Sequence, residues 1–239
     1  MVLTACTWGR SRHFRGMKLR ITKLALSLCA LGLFLGVTTP LQQTRAQEVR
    51  TVSLVGDSLV SGRSSLYSKA FLVRGVPATV DGVGSRAIRY GWQCKVSQGL
   101  RVFPKPLNER CRREGLEQLR WWADTGKLGT EVVVALGTND AALYPGARTL
   151  PNLREVRRIV GDRKVWIVTV RKLTNSPKPA AWNKVATEWC AKDIACGMIP
   201  WAESKISSKR ALYSTDMVHL TQRGAELRAE FIATVVAGH

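Results

Sequence analysis

The chain has three histidines; His13 lies far forward and His239 is the last residue, which leaves His219 as the one suited to a folded site. It closes the run Asp216, Met217, Val218, His219, and a second run, Gly56, Asp57, Ser58, Leu59, supplies a serine. One serine, one histidine and one aspartate are the parts of nucleophilic acyl transfer. A base draws off the hydroxyl proton, and a carboxylate holds the imidazole in the working tautomer. The spacing lets Asp216 and His219 project from one loop, with Asp216 accepting from Nδ1–H and Nε2 turned toward Ser58.

A third run, Gly137, Thr138, Asn139, Asp140, directly follows an apolar stretch ending at Leu136. Asn139 can donate an N–H to a developing oxyanion, and Gly137 lets the backbone turn closely at a strand end. Gly, Thr, Asn and Asp also build ordinary turns, and Asp57 or Ser58 can simply cap a helix. What favours chemistry is that all three runs sit at the edges of one expected sheet.

That sheet is read from short apolar runs at 51–55, 78–80, 131–136, 165–170 and 198–201. Segments of helical period lie between them, the pattern of a parallel sheet covered by helices. Leu116, Leu119 and Ala123 mark one helical face, and Leu150, Leu153, Val156 and Val160 another. Leu227, Phe231 and Val235 mark the last, with Thr221 placed to cap it. Residues 59–72 are expected to be helical, which puts Ser58 at a strand's carboxyl end and a helix N-terminus, where open α/β sheets hold ligands. Residues 90–111 hold Gly91, Gly99, Pro104 and Pro106 without a sustained period, and read as a long loop.

Residues 1–46 stand apart. Lys18, Arg20 and Lys23 lead into an apolar run at 24–37 and then a polar stretch, the pattern of a secretory signal peptide cut near Gln47, with Met17 as an alternative start. An uncleaved anchor is the rival reading, but the run is short of the ~20 residues a spanning helix needs. Residues 47–239 are expected to form one domain around a single core. Of the 37 basic residues seven lie in 1–46, so the domain carries 30 against all 17 acidic residues. The basic residues are scattered rather than striped, so the expected polyanion is cell-wall polymer or an anionic membrane surface, not nucleic acid. Cys94, Cys111, Cys190 and Cys196 are an even set in an exported chain and read as disulfides, the local pairs 94–111 and 190–196 demanding least of the fold. They form no Cys-x-x-Cys pair and have no nearby histidine, so no metal is expected, and the chemistry calls for no cofactor.

Taken in order, Gly-Asp-Ser, a later Gly, Gly-x-Asn-Asp and a late Asp-x-x-His make the chain resemble the SGNH, or GDSL, hydrolase superfamily from about Val52 to the C-terminus. The resemblance implies a three-layer α/β/α, flavodoxin-like fold with a mostly parallel sheet. It also implies roles: Ser58 as nucleophile, His219 as general base and acid, and Asp216 as orienting carboxylate. The oxyanion hole would comprise the N–H of Ser58, the N–H of Gly84 (Gly82 next) and the Asn139 amide. The glycine block, the apolar run into Gly137-Thr138-Asn139, and Val218-His219-Leu220-Thr221 with Gly224 look most like one branch: extracellular domains fused to membrane acyltransferases that O-acetylate cell-wall polysaccharide, with standalone exported relatives. No multi-span domain accompanies this chain, so acyl groups are expected from the substrate itself or from a separate membrane partner. Arg86 and Arg89 are candidates to bind a polar or anionic glycan, with solvated surface charge as the alternative. The expected function is an exported esterase or O-acyltransferase of envelope carbohydrate; a lipid or small-ester esterase and an idle polymer-binding module are the rivals.

Overall fold

A computed structural model describes residues 49–89, 114–143 and 148–239. Strands β1 (Val52–Gly56), β2 (Ala78–Gly82), β3 (Glu131–Ala135), β4 (Lys164–Val168) and β5 (Cys196–Ile199) form one sheet in the order β2-β1-β3-β4-β5, every adjacent pair parallel. The middle strands are apolar without alternation because helices cover both faces. Val52, Leu54, Val133, Ala135, Trp166 and Val168 enter one core, while Val55, Val132, Val134, Val165 and Ile167 enter the other.

Helices α1 (Ser64–Leu72) and α6 (Gln222–Ala237) cover the first face, with Phe71 and Ile232 fully buried. The second is covered by α2 (Gly115–Asp124), α3 (Thr138–Leu143), α4 (Thr149–Val160) and α5 (Lys178–Cys190), through residues such as Leu119, Leu153, Val156 and Trp182. This is the expected three-layer α/β/α fold. Thr221 caps α6, its side chain accepting from the Gly224 N–H at 3.2 Å. No helix among the described residues is long and apolar enough to cross a membrane.

Four local features differ from the sequence expectation. The segment after Ser58 turns before it coils, so α1 starts only at Ser64 and Ser58 is not at a helix N-terminus. The run Gly137–Asp140, composed of turn formers, instead opens the short helix α3. β4 stops at Val168 because Asn183 of α5 accepts the Val170 N–H at 2.7 Å and donates to the Val170 carbonyl at 3.0 Å, taking both groups from the ladder. β5 lies two residues earlier than its apolar run; Cys196 pairs with Val165, and the Trp201 N–H turns back to the Ile199 carbonyl.

Cys190 ends α5 and is disulfide-bonded to Cys196 at the start of β5, whereas the expected 94–111 pair lies outside the described residues. Closing so short a loop is worth about 2 kcal/mol by chain entropy. Replacing both Cys190 and Cys196 by serine is therefore expected to lower Tm by about 4–8 °C in calorimetry; an unchanged Tm would refute a stabilising role.

The register aligns Gly56 with both Gly82 and Ala135, so the chain leaves β1, β2 and β3 along one edge of the sheet. The strand order reverses between β1 and β3, with α1 on one face and α3 on the other. Such a reversal at the carboxyl edge is where open α/β sheets hold their ligands.

Candidate active site

Ser58 sits on a turn built by its neighbour. Asp57 is fully buried; its Oδ1 accepts the Leu59 N–H at 2.9 Å, and its carbonyl accepts the N–H groups of Val60 and Ser61 at 3.0 and 2.9 Å. Below the turn, Tyr67 donates its hydroxyl to the Leu59 carbonyl at 3.1 Å, and Arg228 Nη1 donates to that hydroxyl at 2.8 Å. Burial pushes the Asp57 carboxyl up, and the charge of the nearby buried Arg228 counteracts it. Gly82 packs against the same turn: a Cβ there would lie 2.6 Å from the Val60 carbonyl carbon and 2.7 Å from the Ser61 nitrogen, so only glycine fits.

His219 Nε2 lies 3.0 Å from Ser58 Oγ, and Nδ1 lies 2.5 Å from Asp216 Oδ2. The other Asp216 oxygen accepts the N–H groups of Val218 and His219 at 3.0 and 2.9 Å, so the carboxylate is fixed by the loop it opens. Met217 bends that loop with φ 59°, and its carbonyl accepts the Leu173 N–H at 2.9 Å. Desolvation would raise the Asp216 carboxyl, but the hydrogen bonds from the His219 ring and from the two backbone N–H groups outweigh it and hold the pKa at about 2. An ionised Asp216 keeps the proton on Nδ1 and leaves Nε2 as acceptor for the Ser58 hydroxyl. Both side chains are 47% exposed, so the site opens directly to solvent.

Asn139 lies in the first turn of α3 and donates through Nδ2 to the Arg86 carbonyl at 2.8 Å. An amide has two N–H donors, so the second can serve another acceptor. Next to it, buried Asp140 accepts the Ile88 N–H on both oxygens, at 3.0 and 3.1 Å. Residues 139 and 140 thus clasp the loop after β2, which carries Gly84. In that loop Ser85 takes φ 62°, a left-handed conformation held by its surroundings. A Cβ on Gly84 would meet nothing within 4 Å, so packing selects glycine at 82 rather than at 84.

Arg86 differs from its expected role as a glycan contact. Its side chain is 1% exposed, pairs with Asp81 Oδ2 at 2.8 Å, and donates to the carbonyls of Asp81 and Gly56 at 3.0 and 3.4 Å. It is not a solvated charge but a buried tie between the ends of β2 and β1. Arg89 is half-buried at the edge of the described segment.

Burial raises the Asp140 carboxyl from 3.8 to about 7, with repulsion from Asp57 adding to the effect. The folded protein keeps this proton at pH values where the unfolded chain has lost it. The stability it contributes is complete below about 3.8 and lost as pH rises through about 7. Asp140→Asn keeps an oxygen for the Ile88 N–H but cannot ionise. Between pH 5 and 8 its Tm is expected to fall less than that of the wild type, and an equal fall would contradict this assignment.

Tyr67, Arg228 and Asp140 were not among the expected site residues. Asp140 closes the run that begins at Gly137, and Arg228 stands out as a charge among the apolar positions of α6; its partner Tyr67 lies 161 residues away. Among the described residues no cluster of His, Cys, Asp or Glu suits a metal ion.

No family model and no curated protein matches the chain by sequence. Solved structures do match its fold. A lipase/acylhydrolase from Enterococcus faecalis is similar at TM-score 0.60 and 20% identity, over 79% of this chain and 96% of that one. The C-terminal catalytic domain of Streptococcus pneumoniae peptidoglycan O-acetyltransferase A, solved with a methylsulfonyl adduct, is similar at 0.53 and 16%, over 80% and 92%. Est24, a carbohydrate acetylesterase from Sinorhizobium meliloti, is similar at 0.53 and 17%, over 79% and 99%. The chain therefore has the α/β fold of the SGNH hydrolases.

Proposed function

We propose that the protein is an exported serine esterase or O-acyltransferase acting on O-acetyl groups of cell-envelope carbohydrate. The observation that carries this reading is the hydrogen-bonded series Ser58, His219, Asp216 at the carboxyl edge of a parallel sheet. In the proposed mechanism His219 Nε2 takes the Ser58 proton as Oγ attacks the ester carbonyl. The oxyanion is held by the N–H groups of Ser58 and Gly84 and by the second N–H of Asn139. The imidazolium gives its proton to the leaving alcohol, and the acyl group stays on Ser58. His219 then deprotonates water, which releases the acid, or a sugar hydroxyl, which takes the acyl group.

Export rests on the leader pattern of residues 1–46, and envelope association on that pattern together with the basic balance of the domain. For transfer, a separate membrane partner would supply the acyl group. The carbohydrate substrate is supported by the half-exposed His219 and Asp216, which give a large acceptor access, and by the names of two similar structures. Acetyl esters are expected to give a higher kcat/KM than butyrate or octanoate across the p-nitrophenyl series, with acetylated glycans also turned over. A steady rise with chain length and no action on glycans would favour a lipid esterase instead.

Asn139→Ala is expected to lower kcat by about 10²–10³-fold and to change KM little, because an oxyanion donor acts on the transition state. An effect confined to KM would make Asn139 a ground-state contact.

A further inference from the structure

A cleft of about 990 Å³ opens where β4 ends, between the segment following Val170 and α5. Arg171, Lys172 and Leu173 line it from the segment after β4, Asn183 and Lys184 from α5, and Glu203 from the chain after β5. The hydrogen bond from the Leu173 N–H to the Met217 carbonyl joins the segment after β4 to the loop of Asp216 and His219. Asn183 holds Val170 through both backbone groups, so the two cations that follow start from a fixed point.

We propose that this cleft is an anion subsite in which Arg171 and Lys172 receive a carboxylate or phosphate group carried by the polymeric substrate. The inference deepens the reading of Ser58 as the site of an ester reaction, and rests on it for the identity of the bound polymer. Three observations support it. Arg171 Nε is buried without a hydrogen-bond partner among the described residues, which is costly for a charged donor. Lys172 is half-buried; desolvation pushes its ammonium down, Lys178 repels it, and Asp57 is the acid that offsets this. The cleft also holds Lys184, Glu188 and Glu203, and each has a partner: Glu188 pairs with Lys184 at 3.9 Å, and Glu203 accepts the Thr169 hydroxyl at 2.7 Å.

An oxyanion beside Lys172 offsets both the desolvation of its ammonium and the repulsion from Lys178, and the same group can accept from the Arg171 guanidinium, whose Nε has no hydrogen-bond partner among the described residues. The cleft adjoins the catalytic loop without including Ser58, which suits a charged group on a neighbouring unit of the polymer rather than the ester itself.

The test reads binding, not turnover. Ser58→Ala protein is titrated with acetylated polygalacturonate, which carries carboxylates, with acetylated poly(glycerol phosphate), and with neutral acetylated xylan. At least one anionic polymer is expected to bind more tightly than xylan, and whichever does identifies the anion. Adding R171Q and K172Q together should weaken that binding by about tenfold and leave xylan binding as it was. R171K with K172R should restore most of it. A control removing two exposed charges outside the cleft, K69Q with K192Q, should leave it in place. Melting curves establish that each variant is folded, and K172Q alone serves if the double variant is not. The proposal is overturned if neither anionic polymer is preferred, if R171Q/K172Q binds like its parent, or if the control loses as much. Loss of the esterase reading would appear separately, as an absence of ester turnover by the wild type.

Discussion

Ser58→Ala is expected to abolish ester turnover while leaving the protein folded. Removing the nucleophile of a serine hydrolase costs on the order of 10⁶-fold in kcat. The turn that carries Ser58 does not depend on its hydroxyl. Asp57 holds that turn through the N–H groups of Leu59, Val60 and Ser61, and Tyr67 braces it from below. Tm should therefore stay within a degree or two of wild type, on the scale of a surface substitution. A variant retaining more than about a hundredth of wild-type kcat would remove Ser58 from the role of nucleophile.

Asp216→Asn is expected to lower kcat by about 10⁴-fold, the second-largest effect. The carboxylate accepts on both oxygens: Oδ1 takes the N–H groups of Val218 and His219, and Oδ2 takes the His219 ring. An amide can keep its single oxygen on the backbone, where two donors compete for it, and then presents an NH₂ group to Nδ1. That forces Nδ1 to accept and places the imidazole proton on Nε2, facing Ser58 with the wrong polarity. The loop should hold its shape while the relay fails. Steady-state kinetics with melting curves separates the two: equal losses of activity and stability would mean that Asp216 only builds the loop.

Much of this site was legible in the sequence because its chemistry needs particular residue types close together along the chain. Asp216 and His219 lie three apart, and the Asn139 run directly follows an apolar strand. The fold was legible for a related reason: β1, β3 and β4 are buried on both faces and read as apolar runs, β1 broken only by Ser53. What the sequence hid was long-range polar pairing. Arg86 looked like an exposed cation because nothing local reveals that the ends of β1 and β2 close over it. The support of the Ser58 turn joins Tyr67 to Arg228 across two helices, which no spacing rule anticipates. The helix after Ser58 starts late because the buried Asp57 closes a turn first, a choice made by burial rather than by helix propensity. Asn183 acts in the same way on β4, where the apolar pattern continues to Val170 but the ladder does not.

Activation of Ser58 as a nucleophile by His219, as proposed above, can be read from a covalent measurement. A fluorophosphonate probe is incubated with the wild type, and the adduct is weighed intact and mapped by peptide mass spectrometry. One adduct per chain is expected, carried by Ser58, absent in Ser58→Ala and formed far more slowly in His219→Ala. An adduct on another residue, or full ester turnover by protein whose Ser58 carries the adduct, would exclude Ser58 as the nucleophile.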